Sequence, residues 1–213
     1  FRLAASEYAI STLIRFLITQ ICEKAPKAVL EVLPFGPSVL PDLESGALDC
    51  CFWAGPLPNS PWIGKPLFTE RLVGLISQTH PLADKAKHQA ITLDDYLAYP
   101  HITVSMKDPF RSQIETALDE MGRTRTVSVS TQSFAVNIES LLTSELITSL
   151  PSRLAENALQ AGLVSFEVPL SIPAFTYSLV WHRRTDTDLA MIWFRDLVST
   201  LAQDVTRRAS GDV

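Results

Sequence analysis

The chain has 213 residues, 46% of them hydrophobic, and a formal net charge of −5. That is enough apolar material for a buried core, and it excludes wholesale disorder. The acidic balance, 18 Lys and Arg against 23 Asp and Glu, excludes a nucleic-acid grip by this segment alone, because phosphate binding needs clustered cations.

Taken in chain order, residues 1–5 read as a short apolar strand, and Ser6 stands where a helix N-cap belongs. Behind it Ile10, Leu13, Ile14, Leu17, Ile18 and Ile21 recur at helical spacing until Pro26 stops the helix. Residues 29–33 read as a second strand, closed by the turn Pro34-Phe35-Gly36-Pro37. A short helix carries Val39, Leu40 and Leu43 on one face and stops at Gly46. Residues 48–53 form a third strand, apolar on both faces, as strands inside a parallel sheet are. Strand-helix-strand-helix-strand over this length is the doubly wound α/β pattern.

Residues 55–61 are a proline-rich surface connection, and 67–77 read as one long strand passing from one lobe to another. Residues 83–89 are polar and read as loop. A second α/β series follows: a helical turn at 94–97, a strand at 101–105, a helix at 110–121 and a strand at 127–131. Ser133 then caps a helix carrying Phe134, Ile138, Leu141 and Leu142. A strand at 146–150, a helix at 154–159 and a strand at 164–168 complete the series. Residues 175–181 read as a returning strand, and Leu189, Ile192, Trp193, Leu197 and Leu201 mark a last amphipathic helix that frays from 207. The expected organisation is lobe I from 1–73 and 171–213, with lobe II at 74–170 inserted into it and hinges near Val73-Gly74 and 169–173.

Phe1 is not Met, and no basic, long apolar leader precedes the first strand, so neither a signal peptide nor a membrane span is expected. The chain reads as a segment of a longer cytoplasmic protein. Cys22, Cys50 and Cys51 give no disulfide framework and read as buried thiols, with a redox switch as the alternative.

Catalytic signatures are absent: no GxSxG, P-loop, GxGxxG or HExxH occurs, and His80, His88, His101 and His182 lack metal-ligand spacing. His80 reads as a turn residue; His101 either faces a cleft or is a satisfied core residue. Trp181 and Trp193 fit the core. No enzyme activity, metal or cofactor is expected.

Open α/β sheets bind ligands outside the carboxyl ends of their strands. Those ends carry Ser6, Glu7 and Tyr8 after the first strand, Phe35 and Gly36 after the second, and Trp53 and Ala54 after the third. In the second series they carry Thr103, Val104 and Ser105, then Thr131, Gln132, Ser133 and Phe134. Hydroxyls, an amide and helix N-termini suit a small carboxylate or another polar ligand. Ser6 and Ser133 read equally well as N-caps alone, and Trp53 as pocket wall or core. Glu7 opposes an anion unless Arg111 or another cation offsets it.

The phrases Leu43-Glu44-Ser45-Gly46-Ala47-Leu48-Asp49 and Leu75-Ile76-Ser77-Gln78-Thr79-His80-Pro81-Leu82-Ala83, the step Leu150-Pro151, and residues 177–181 with Phe194 follow one another in a fixed order. In that order the chain resembles the effector-binding (co-inducer) domain of LysR-type transcriptional regulators. The family's Gly-x-Gly before the Leu-Pro step is replaced here by Ser144 and Leu146. The resemblance implies a type-2 periplasmic-binding-protein-like α/β fold, with two Rossmann-like lobes joined by two crossover segments and a small-molecule effector in the cleft between them. It implies an N-terminal winged helix-turn-helix outside this chain, through which alone DNA is bound. It also implies an antiparallel homodimer through 8–22, 29–33 and 110–121, and a tetramer at full length. The alternatives are a transporter's solute-binding protein and, on the same fold, an enzyme of prephenate dehydratase-like or deaminase-like kind.

Overall fold

Four strands and the helices between them build the first third of the chain, seen in a computed structural model that describes residues 1–104 and 113–209. The backbone divides into two units, residues 1–70 with 175–213 and residues 71–174. The expected boundaries at 73/74 and 170/171 lie a few residues inside the second of these.

The first unit holds β1 (Arg2–Ala5), α1 (Glu7–Ala9), a π-helical turn (Ile10–Ile14), α2 (Arg15–Lys24), β2 (Glu31–Pro34), α3 (Val39–Ser45), β3 (Cys50–Ala54) and β4 (Trp62–Glu70). Its sheet runs β2-β1-β3-β10-β4, where β10 is Phe175–His182. β1 pairs in parallel with β2 and β3, whereas β10 runs antiparallel to β3 and β4. Side chains alternate across a strand, so Ala4, Cys51 and Val180 meet Val39, Leu43 and Leu48 of the α3 layer. Leu3, Cys50, Phe52 and Leu179 are buried on the other face. The last helix, α9 (Leu189–Ala209), touches β4, the π turn and α2. At the end of α3, Gly46 takes φ +86, and the Arg184 guanidinium donates to the carbonyls of Leu43 and Glu44 that the helix leaves open.

The second unit holds β5 (Leu72–Ser77), α4 (Ala83–Lys87), α5 (Leu93–Leu97), β6 (His101–Val104), α6 (Gln113–Glu120), β7 (Val127–Thr131), α7 (Phe134–Leu141), β8 (Thr148–Pro151), α8 (Ser152–Ala158) and β9 (Leu163–Glu167). β8-β5-β9 is an antiparallel sheet, and β6 and β7 pair in parallel. A parallel bridge from His101 to Ile147 carries β6 toward β8. Ile76, Leu82, Ala86, Ile91, Tyr96, Ile147 and Phe166 form its core.

Several expectations are corrected. The single strand expected over 67–77 is two strands: β4 pairs with β10 as far as Glu70, and β5 pairs with β8 from Leu72. Arg71 stands between them, its carbonyl taken by Ser152 N at 2.9 Å. The polar stretch 83–89 contains α4, because Ala83 and Ala86 are buried one turn apart while Asp84 and Lys87 pair on the solvent side. The second strand starts at Glu31, leaving Val29 exposed. Trp193 is not a core residue: it is 36% exposed, with Phe1 6.0 Å from its ring. Cys22 is exposed and only Cys50 and Cys51 are buried, since helix position 22 faces away from the Leu17 and Ile21 stripe. Val73 and Gly74 lie inside β5, which is paired on both sides there. Of the helix expected over 110–121, residues 110–112 lie outside the described residues, as do Ser105 and Arg111.

Candidate functional site

Because β2, β1 and β3 are parallel neighbours, their carboxyl ends share one edge of the first unit. Ser6 caps α1, its Oγ accepting from Ala9 N at 3.4 Å, and it shares a 3.3 Å hydrogen bond with the Tyr177 hydroxyl. The Tyr177 ring is buried, stacked on Phe52 and Phe68 at 5.9 and 5.5 Å and met edge-on by Tyr8 at 5.0 Å. Burial pushes its phenol well above the ordinary tyrosine value. Tyr8 donates its hydroxyl to the buried Glu70 carboxylate at 2.5 Å, and Glu7 is half-buried beside it.

On the same edge Phe35 meets Trp53 edge-to-face at 5.8 Å. Trp53 is half-buried, with its Nε1 donating to the Pro56 carbonyl at 2.7 Å, and Ala54 is exposed. The space in front of Gly36, where a side chain would start, is open. This edge therefore offers aromatic walls and hydroxyls, together with the Glu7 and Glu70 carboxylates.

In the second unit the carboxyl ends of β6 and β7 lie side by side. Thr103 and Val104 are half-buried on β6; Thr131, Ser133 and Phe134 are half-buried and Gln132 is exposed after β7. Ser133 caps α7, its Oγ accepting from Val136 N at 3.3 Å. Thr131 Oγ1 accepts from Ser133 N at 3.2 Å and donates to Asn137 Oδ1 at 2.6 Å. Ser105 lies outside the described residues.

The sequence-derived set thus falls into two groups, one on each unit. Three further polar residues contact these groups and lie outside the sequence-derived set: Glu70 and Tyr177 in the first unit and Asn137 in the second. Asn137 carries a legible signal, an amide four residues before Leu141 on the face of α7 that is otherwise apolar.

Two of the histidines are held inside the fold. His80 is buried; Leu82 N donates to its Nδ1 at 3.0 Å, its Nε2 lies 3.1 Å from the Glu145 carbonyl, and burial lowers its pKa. His101 is fully buried, its Nε2 2.9 Å from the Tyr96 carbonyl, and burial lowers its pKa to about 4. Burial raises the Cys51 thiol to about 12 and Cys50 well above its ordinary value. Neither is a ready nucleophile. Among the described residues no group of three or more His, Cys, Asp or Glu is placed to hold a metal ion, and no helix is long and apolar enough to cross a membrane.

Comparison with known proteins decides the lineage. The family described as the LysR substrate binding domain matches residues 1–203. The chain belongs to this family. Its curated relatives include "Nodulation protein D 1" of Bradyrhizobium diazoefficiens, 28% identical over all of this chain and 66% of that protein. They also include the "HTH-type transcriptional activator NahR" of Pseudomonas putida, 26% identical over 88% of this chain and 62% of that protein. The chain thus spans just under two thirds of these relatives. A putative transcriptional regulator from Vibrio parahaemolyticus superposes with a TM-score of 0.85, covering 98% of this chain and 96% of that one at 25% identity. The effector binding domain of QuiR, solved with shikimate, superposes with a TM-score of 0.71 at 18% identity, covering 95% of this chain and 96% of that one. The LysR fold is the type-2 periplasmic-binding-protein-like α/β fold that the resemblance implied.

Proposed function

We propose that this LysR domain is the sensor of a ligand-gated transcription regulator, binding a small oxygen-bearing organic effector, such as a carboxylate, at strand ends. The observation that carries the reading is the family match over residues 1–203. Neutral hydroxyl, amide and aromatic groups at those strand ends support it (Ser6, Phe35 and Trp53 in one unit, Thr103, Thr131 and Ser133 in the other). So does the QuiR domain, whose structure was solved with shikimate. The effector shifts the chain's conformational equilibrium by its differential affinity for two states. DNA is contacted by a part of the regulator outside these residues, which agrees with the acidic charge. The regulator acts in the cytoplasm and is not an enzyme.

The chain pairs as an antiparallel homodimer through 8–22, 29–33 and 110–121, and the full regulator is a tetramer. Exposed Ile10, Ile18, Val29 and Met121 support this pairing.

Tryptophan fluorescence tests the sensor. An inducer of neighbouring genes changes the emission of the wild-type chain, and Trp53→Phe removes most of the change. A chain whose emission and small-angle scattering answer to no inducer refutes the reading.

A further inference from the structure

Asn137 lies within the first turn of α7 and is fully buried, on the same helix face as Leu141. An amide has two ends with opposite needs: Oδ1 accepts, and Nδ2 donates two hydrogens. The accepting end is met by Thr131 Oγ1 at 2.6 Å. That hydroxyl is itself held at the end of β7, accepting from Ser133 N at 3.2 Å and lying 3.1 Å from the Ser133 carbonyl. The threonine therefore holds the amide by its accepting end. The donating end, Nδ2, is buried without a hydrogen-bond partner among the described residues.

A buried donor without an acceptor opposes folding, and most such groups in folded proteins are satisfied. Leu141, one turn on, shows what this face otherwise selects. α7 touches both β6 and β7, and around its start Thr103, Thr131 and Ser133 remain partly exposed. Asn137 is the deepest polar group of that set.

We propose that Asn137 is the effector-specificity residue of the second unit, its Nδ2 donating to a carboxylate, carbonyl or hydroxyl oxygen of the ligand lodged at the carboxyl ends of β6 and β7. This rests on the effector-binding reading above. The unit then selects against purely hydrocarbon ligands, because only an oxygen completes the amide.

The test compares the wild-type 213-residue chain with Asn137→Leu, which keeps the volume and removes the amide. Thr131 Oγ1 keeps the Ser133 carbonyl in that variant. Thermal unfolding is measured without ligand and with millimolar shikimate, benzoate, benzamide or toluene. The expected result is a variant at least as heat-stable as the wild type without ligand. At least one oxygen-bearing probe stabilises the wild type, its affinity falls about tenfold in the variant, the loss of one hydrogen bond, and toluene does not discriminate. A variant several degrees less stable overturns the proposal, since a structural water then completes the amide as part of the fold. Equal binding of an oxygen-bearing probe by both chains overturns the role of Asn137 and leaves the sensor reading standing. No response of the wild type to any oxygen-bearing probe overturns the proposal together with that reading's ligand class.

Discussion

Arg125 and Glu115 form a two-point pair in which Nη2 and Nε of the arginine both donate to Oε1, at 2.7 and 3.1 Å. The partners are unequally placed: the Arg125 side chain is 1% exposed and that of Glu115 is 37%. The third nitrogen, Nη1, donates to the Tyr96 hydroxyl at 3.2 Å and lies 3.5 Å from His101 Nδ1. The Tyr96 hydroxyl shares a further hydrogen bond with Ser149 at 2.9 Å. One guanidinium thus ties α6 to α5 and to the start of β6, behind the strand end that carries Thr103.

Arg125→Ala is expected to destabilise the chain by about 3 kcal/mol, since several hydrogen bonds and a buried stem are lost together. Glu115 stays partly solvated, so no fully buried charge is orphaned. Arg125→Met keeps the stem and should cost less, about 1–2 kcal/mol. Urea unfolding checks both; equal costs would show that the hydrogen bonds rather than packing decide.

Acid should weaken the fold in a defined window. Burial depresses the His101 pKa to about 4, with the Arg125 charge acting in the same direction. The unfolded chain then binds a proton at His101 below its ordinary value near 6.5, where the folded chain does not. Stability from the neutral ring is complete above pH 6.5, falls as pH drops toward 4, and loses nothing more below it. The loss attached to this group is about 3 kcal/mol. His80 titrates in the same sense. Urea midpoints from pH 7 to pH 4 should show the decline, and His101→Gln should flatten it; an unchanged slope in that variant would refute the assignment.

Gly74 is set by packing. A Cβ there would lie 2.2 Å from the Phe166 ring, in a strand paired on both sides. Gly74→Ala should cost about 2 kcal/mol through overpacking. Adding Phe166→Leu should recover part of it in a double-mutant cycle, and additivity of the two changes would rule out the contact.

Thiol labelling separates the cysteines. Cys22 is exposed and Cys50 and Cys51 are buried, with Cys51 raised to about 12. A maleimide should modify one thiol rapidly in the native chain and the other two only on unfolding. Rapid modification of all three would contradict the packing of β3.

Periodicity exposed most of this architecture because most of its helices and strands bury one face. Leu13, Ile14, Leu17 and Ile21 of the first helix, the Ser6 and Ser133 caps and the apolar run of β3 were legible on that ground, whereas Ile10 and Ile18, read as part of the same stripe, are exposed. The break at Arg71 was not, because strand formers continue through it and only distant pairing partners, on β10 for one strand and on β8 and β9 for the other, divide β4 from β5. α4 was hidden by its polar side, its two buried alanines being too small to mark a stripe. The departure at Ser144 became interpretable only in three dimensions. There Ser144 Oγ donates to Ser140 O at 2.6 Å and accepts from Leu146 N at 3.4 Å, so a side chain closes the turn. The strand-end rule placed candidate groups on each unit, but it favours residues just past a strand and so passed over Asn137, Tyr177 and Glu70.

The first unit is discontinuous in sequence, and β10 occupies a place inside its sheet, between β3 and β4. On the ribosome, residues 71–174 emerge as one uninterrupted stretch, while the earlier strands wait for a neighbour synthesised more than a hundred residues later. The second unit can therefore close during translation. Until then β3 and β4 have unfilled edges, which makes the nascent first unit the part most exposed to mispairing and most dependent on chaperones.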